Sequence, residues 1–360
     1  RIYSFLKEST ESIDLWEKLK TKKTILIKPN LLGPYKPEKA ITTHPIILEA
    51  LICLLKEKGK KIWIGDSPGG SIKVNRVWEE TGIIKIVEKH KIKLLNFSEG
   101  GIVTRTSPNH TFTTSKYFWE ADAVINVGKY KTHSLTYYTG AIKNIYGIIP
   151  GLRKSDYHRD NADNTKFSTV ISELYNTAKE NIVFNILDGI WGMEGDGPSA
   201  GIPRNFGVLF AGESASAIDK IASKMMGFNL NQLPYVKSSL QNEHISFKDI
   251  EFPEKWNNFV FKNVKLKKIS LFIKIFTKSP KFFRKIFKNL FEYFPDFNDK
   301  CTLCNICVDS CPVKAISLEK KNNKLKIDYL KCIKCMCCHE LCPHHAVYIR
   351  KSFLAKFIIK

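Results

Sequence analysis

The sequence predicts an α/β protein: an open, mostly parallel, doubly wound sheet, followed by a small α+β domain built on a repeated cysteine motif. Three observations carry this. Short apolar runs alternate with helix-period stretches from the start to about residue 241, the pattern of strands buried on both faces. Nine of the ten cysteines fall between 301 and 342. Between these regions, the pattern changes to Phe and Ile at helical spacing among Lys and Arg. The expected division is an α/β domain at 1–252, a basic amphipathic linker at 253–295, the cysteine domain at 296–350, and a basic tail at 351–360.

Taken in order, the first 20 residues read as one amphipathic helix (Phe5, Leu6, Ile13, Leu15, Trp16, Leu19). Thr24-Ile25-Leu26-Ile27 reads as a buried strand ending at Lys28-Pro29-Asn30. His44-Pro45 opens a helix to about Lys58, with Ile47, Leu48, Leu51, Ile52 and Leu55 on its apolar face and Cys53 expected in the core. Ile62-Trp63-Ile64-Gly65 is the next strand and ends at Asp66-Ser67-Pro68-Gly69-Gly70. Helices over about 73–90 lead to a strand at 93–97, and Ala121–Val127 is a strand ending at Gly128-Lys129-Tyr130-Lys131-Thr132-His133. Gly140–Gly147 falls on a helix or its end, whereas polar 153–165, with His158, Arg159 and Asp160, reads as a mobile loop. After a helix at 166–180 come a strand at 182–187 ending in Asp188-Gly189, a glycine-rich irregular stretch at 193–201, a strand at 206–211, and helices near 214–226 and 231–241.

The cysteine motif is the most specific signal. Cys301-x2-Cys304-x2-Cys307-x3-Cys311-Pro312 recurs as Cys332-x2-Cys335-x2-Cys338-x3-Cys342-Pro343. This is the bacterial two-cluster ferredoxin spacing, in which the fourth cysteine of each run serves the other cluster. Two [4Fe–4S] clusters are expected, one on Cys301, Cys304, Cys307 and Cys342, the other on Cys332, Cys335, Cys338 and Cys311. Structural zinc prefers paired knuckles set farther apart, and disulfides need an oxidising compartment. Cys337 belongs to neither ligand set and reads as a small packed residue.

The net charge of +22 is unevenly placed: residues 253–295 hold eleven Lys and Arg against Glu254 and Glu292. Three readings fit this stretch: docking of 265–294 on a membrane surface, docking on an acidic redox partner, or packing over the α/β domain. Nucleic acid is a poor fit, because no recognised binding module is present. No signal-peptide pattern opens the chain, so the expected location is cytoplasmic, peripheral to a membrane if 265–294 docks there.

Polar clusters follow the strand-like runs, and in open α/β sheets ligands bind outside the strands' carboxyl ends. The expected pocket gathers Lys28, Asn30, Asp66, Ser67, Asn144, Gly195 and Gly197 for binding, with Lys131, His133, Lys143, Asp188 and Glu194 in catalytic roles. Lysines suit a phosphate or carboxylate, His133 or Asp188 moves a proton, and Glu194 orients a lysine. Each has a plainer alternative, since strand-end Asp and Asn often cap helices. No GxGxxG or GKS/T stands between a strand and a helix, so NAD, FAD and ATP are not expected.

The motifs Lys28-Pro29-Asn30-Leu31, Gly65-Asp66-Ser67, Lys131-Thr132-His133, Gly140-x-Ile142-Lys143-Asn144-x-x-Gly147 and Asp188-Gly189-Ile190-x-Gly192-Met193-Glu194-Gly195-x-Gly197-Pro198 resemble the domain-of-unknown-function-362 family. The doubled Cys337-Cys338 is similar to that family's C-terminal ferredoxin run. The resemblance implies the two-domain architecture, the clusters and a shared site, without a substrate. The expected function is an iron–sulfur oxidoreductase that passes electrons through two [4Fe–4S] clusters, with a redox partner protein, to or from a small anionic ligand bound at the strand ends. A non-enzymatic carrier or assembly protein, and a non-redox enzyme with structural clusters, fit the same residues.

Overall fold

The computed structural model describes residues 1–161, 163–246, 248, 250, 256, 259–266, 293–319 and 322–351. Of the expected basic amphipathic linker at 253–295, residues 253–255, 257–258 and 267–292 lie outside the described residues, as does the tail beyond Lys351.

The chain starts with α1 (Ile2–Ser12) and α2 (Leu15–Lys18), two helices where the pattern suggested one, because Asp14 takes a left-handed turn at φ 50°. Then come β1 (Thr24–Pro29), α3 (Pro45–Glu57), β2 (Lys61–Asp66), α4 (Val74–Glu80), α5 (Ile83–His90) and β3 (Lys93–Asn96). Cys53 on α3 is only partly buried. A hairpin unseen in the sequence, β4 (Ile102–Thr106) and β5 (Thr111–Ser115), precedes α6 (Lys116–Glu120), β6 (Ala123–His133), β7 (Tyr137–Thr139) and α7 (Ala141–Asn144). The expected mobile loop is instead helical from Arg153 to Asp160 (α8) and leads to α9 (Asn164–Ala178). The α/β domain closes with β8 (Ile182–Glu194), β9 (Ile202–Gly212), α10 (Ala215–Met226) and α11 (Pro234–Asn242).

The main sheet has the order β3-β2-β1-β6-β8-β9, with β7 added on β6. The first five of these strands run parallel, while β9 returns antiparallel along β8. Alternation along the strands feeds two cores. Ile25, Ile27, Ile125, Val127, Phe184 and Ile186 pack with α1, α3 and α5 on one face. Leu26, Val124 and Leu187 pack with α7, α9, α10 and α11 on the other. Each fully buried Leu, Ile or Phe contributes about 1.5–3 kcal/mol, which makes this three-layer sandwich a rigid base. The direction of winding reverses between β1 and β6, and such a switch point leaves a crevice at the strand ends.

The cysteine domain comprises β10 (Tyr293–Phe297), α12 (Ile306–Asp309), β11 (Ile316–Glu319), β12 (Lys324–Ile327), α13 (Cys337–Leu341) and β13 (Val347–Lys351). Its two halves repeat at the 31-residue step from Cys301 to Cys332. Left-handed residues recur in register: Leu303, Asn305 and Lys314 in the first half, Lys334, Met336 and His345 in the second. Such residues turn successive backbone N–H groups inward as an anion nest. Likewise Ala315 N donates to Cys311 Sγ and Ala346 N to Cys342 Sγ, both at 3.2 Å.

This domain sits on the strand ends. Tyr35 Oη donates to Cys342 O at 3.3 Å, and Ser199 Oγ to Glu340 O at 2.8 Å. Gly69 and Gly70 allow the close approach: a Cβ there would lie 2.4 Å from Leu341 Cδ2 and 2.5 Å from Ser310 Oγ. The pair is a docking surface between domains.

Candidate functional site

The crevice between β1 and β6 opens into a cavity of about 90 Å³, room for several water-sized groups and so for a small ligand. Strand ends form its floor. Lys28 ends β1 and pairs with Asp66 at the end of β2 (2.8 Å), both buried. Asp66 also accepts from Leu31 N and Ser67 N at 2.8 and 2.9 Å. Burial lowers the Lys28 pKa and Asp66 partly offsets that, so this cation is already neutralised within the fold. Gly147 roofs the pair; a Cβ there would lie 2.4 Å from Asp66 Oδ1 and 2.5 Å from Lys28 Nζ.

A chain of amides crosses the sheet and fixes the neighbouring side chains. Asn30 Nδ2 donates to Asn144 Oδ1 (3.0 Å), Asn144 Nδ2 to Asn126 Oδ1 (2.8 Å), and Asn126 Nδ2 to Asn185 Oδ1 (2.8 Å). Asn30 in turn accepts from Lys131 Nζ at 2.9 Å, and Ile41 O accepts from the same ammonium at 2.7 Å. Burial, then Lys143 and Lys129, push the Lys131 pKa well down. Lys143 rides on α7, whose first two N–H groups are held by buried Asp219 at 2.7 and 2.9 Å. Its ammonium makes no hydrogen bond among the described residues and lies 5.8 Å from the Tyr146 ring centroid. Lys143 is therefore available to a ligand.

His133 ends β6. Its Nδ1 accepts from Leu135 N (3.1 Å) and Thr136 N (3.3 Å), so the ring is neutral and carries its proton on Nε2. Burial and the surrounding cations, Lys143 foremost, hold its pKa well below the usual value. Nε2 faces Glu340 Oε1 across 3.3 Å.

Eight predicted pocket residues therefore meet on one cavity: Lys28, Asn30, Asp66, Ser67, Lys131, His133, Lys143 and Asn144. Four others lie off it. Asp188 is interior to β8, because the strand continues to Glu194; it accepts from Lys129 Nζ at 2.6 Å and from His44 N at 3.0 Å. Glu194 pairs with Arg204 at 2.8 Å and orients no lysine of the cavity. Gly195 N donates to Lys265 O, and Gly197 O accepts from Ser134 N, so both glycines shape the chain's return beside β6.

The sequence reading missed the contributions of α8 and of the cysteine domain. Lys154 Nζ donates to Ser67 O at 2.7 Å, and burial lowers its pKa to about 7. His158, stacked on Phe167 with ring centroids 4.0 Å apart, is lowered to about 3 by burial. Ser310, Cys337, Glu340 and Leu341 complete the wall. Glu340 is raised to about 7, chiefly by burial.

The cysteine loops fit iron–sulfur cubes. Cys311, Cys332, Cys335 and Cys338 frame one cavity, together with Pro312, Ile316 and Ile327. Cys307 has Cys342, Cys304 and Cys301 as electrostatic neighbours, and burial with their fields pushes its thiol up to about 12; a metal must displace such protons. The thiols of Cys311, Cys332, Cys335 and Cys338 stand around a shared volume, as the ligands of a cube do. The two halves differ in surroundings: Cys304 is exposed, whereas its counterpart one repeat on, Cys335, is buried.

Residues 25–224, more than half of the chain, match the family model described as Domain of unknown function (DUF362). The chain belongs to the DUF362 family. Residues 300–346 match the 4Fe-4S dicluster domain, so this DUF362 member carries a ferredoxin-type domain capable of electron transfer. A thylakoid-associated protein of Synechocystis is 31% identical over 212 residues, covering 58% of this chain and 65% of the relative's length. The solved lactate racemase apoprotein of Thermoanaerobacterium thermosaccharolyticum shares 17% identity at a TM-score of 0.42, over 62% of this chain and 55% of that one. Among the described residues no helix is long and apolar enough to cross a membrane.

Proposed function

We propose that this protein is an iron–sulfur oxidoreductase that exchanges electrons between its second cluster site and a small anionic ligand at the strand ends. One observation carries the reading. The cavity that collects Lys28, Lys131, Lys143 and Lys154 is walled by Cys337 and Glu340, which stand between the cluster ligands Cys335, Cys338 and Cys342. Lys28 is matched by Asp66, so Lys131, Lys143 and Lys154 face Glu340 alone, and a bound anion would complete their charge.

In this scheme Lys143 and Lys154 hold the anion, while Lys131 and Asn30 fix the floor. His133 holds a proton at Nε2, within reach of a group bound beside Glu340. The docked cysteine domain excludes water. When bound, the clusters supply or accept single electrons, with the more exposed Cys304 loop turned toward an external redox partner. Anaerobic holoprotein, reduced and then mixed with candidate carboxylates and phosphates, tests this through cluster absorbance. Saturable reoxidation by one class, lost in Lys143→Ala, is expected; no reoxidation and no binding by any of them overturns the reading.

We further propose that segment 265–294 docks on an anionic membrane surface. Its basic and apolar residues support this, as does similarity to a protein described as thylakoid-associated. Flotation with anionic liposomes at low salt is expected, and its absence refutes the idea.

A further inference from the structure

Cys337 belongs to neither ligand set, yet its position is singular. It is buried at the start of α13. Among the described residues it alone borders both the lysine cavity and the cavity framed by Cys311, Cys332, Cys335 and Cys338. Its sulfur neighbours that of Cys335, which lines the same cavity. A cluster-bound Cys335 sulfur has no proton to give, so between the two Cys337 is the donor. On its other side, Cys337 lines the lysine cavity together with Glu340 and Lys143.

We propose that Cys337 is a positioning residue that couples occupancy of the lysine cavity to the reduction potential of the cluster held by Cys332, Cys335, Cys338 and Cys311. The inference deepens the proposed function and rests on its anion site. A hydrogen bond to a ligand sulfur stabilises the more negative, reduced cluster and raises its potential. An anion seated against Lys143 competes for the Cys337 S–H and adds its own negative field. Both effects lower that potential, so the occupied cavity favours electron release toward the ligand. By linkage, reduction of the cluster weakens anion binding by the same factor.

The test is an anaerobic redox titration of the holoprotein followed by electron paramagnetic resonance, for wild type, Cys337→Ala and Cys337→Ser, each with and without sulfate. Calorimetry of sulfate binding runs alongside. The expected result is that Cys337→Ala lowers the potential of one cluster and leaves the other unchanged. Cys337→Ser, which keeps an O–H donor, shifts it less and serves if the alanine variant does not assemble. Sulfate should bind the reduced wild-type protein about fivefold more weakly than the oxidised form, and Cys337→Ala should narrow that ratio. Unchanged potentials in both variants, or an undiminished ratio, overturn the role of Cys337 while the anion site stands. Failure of sulfate, phosphate and carboxylates alike to bind wild type removes the anion site itself.

Discussion

His133 and Glu340 face each other across the domain boundary, imidazole Nε2 to carboxylate Oε1 at 3.3 Å. One comes from the end of a parallel strand and the other from a cysteine loop, so the cavity they border is complete only when the two domains are docked. Among the described lining residues Glu340 is the only carboxylate besides Asp66, which Lys28 occupies. Glu340→Gln should therefore tighten sulfate binding at pH 8 by at least about tenfold, since a unit charge about 4 Å away is worth between about 1 kcal/mol in bulk water and about 4 kcal/mol at an effective dielectric of about 20. Calorimetry measures it, and weaker binding would contradict the assignment of Glu340 as the opposing charge.

Lys143 and Lys131 should separate binding from folding. Lys143 makes no hydrogen bond among the described residues, so Lys143→Ala should lose about 1.4 kcal/mol or more of sulfate affinity, tenfold, with melting temperature held or raised. Lys131→Ala removes the donor to Asn30 Oδ1 and Ile41 O, and should cost about 1–3 kcal/mol of stability. Thermal melts beside binding isotherms distinguish the two.

Lys154 gives the site a pH dependence. Burial lowers it from its ordinary 10.5 to about 7. Between those values the unfolded chain holds a proton that the fold has released, so this group makes stability rise with pH across that window. Ligand binding has the opposite sign. Sulfate keeps its charge throughout and favours charged Lys154, so its affinity should fall as pH rises through about 7, by up to about tenfold per unit. Lys154→Gln should flatten the stability profile and make the affinity profile shallower, the remaining slope coming from Glu340, which ionises in the same range; an unchanged affinity profile would exclude Lys154 from the anion site.

The unequal burial of the cysteine loops predicts unequal cluster lability. Cys304, a ligand of the first cluster, is exposed, whereas every ligand of the second, Cys332, Cys335, Cys338 and Cys311, is at least partly buried, so a chelator under mild oxidation should strip the first cluster before the second. Iron release should be biphasic, in two similar amplitudes, and a single phase would show that the loops are equally accessible.

The sequence discloses the floor of this site and conceals its walls. Lys28, Asn30, Asp66 and Ser67 were readable because each directly follows an apolar run, and parallel strands deliver such residues to one edge. The same rule overreached at Asp188, since β8 continues to Glu194 and its middle carries a buried ion pair. Lys154 and His158 were obscured because Arg153–Asp160 has almost no apolar face to declare a helix. Cys337 and Glu340 stood in the motif, but which face of the cysteine domain docks depends on three-dimensional fit at Gly69 and Gly70. No local periodicity encodes that fit.

The 31-residue repeat of the cysteine domain has a consequence beyond iron binding. Taken alone, such a module is nearly palindromic in space, and its two ends are interchangeable. Docking removes that equivalence: Ser310 and Leu341, counterparts one repeat apart, both touch the cavity, but only the second loop adds Cys337 and Glu340 to it. Polarity is thus conferred by attachment. Exchanging residues 302–310 with 333–341 would preserve every cluster ligand, yet it would set Ile306 and Asp309 where Cys337 and Glu340 now border the lysines, and carry the thiol to the opposite end of the wire.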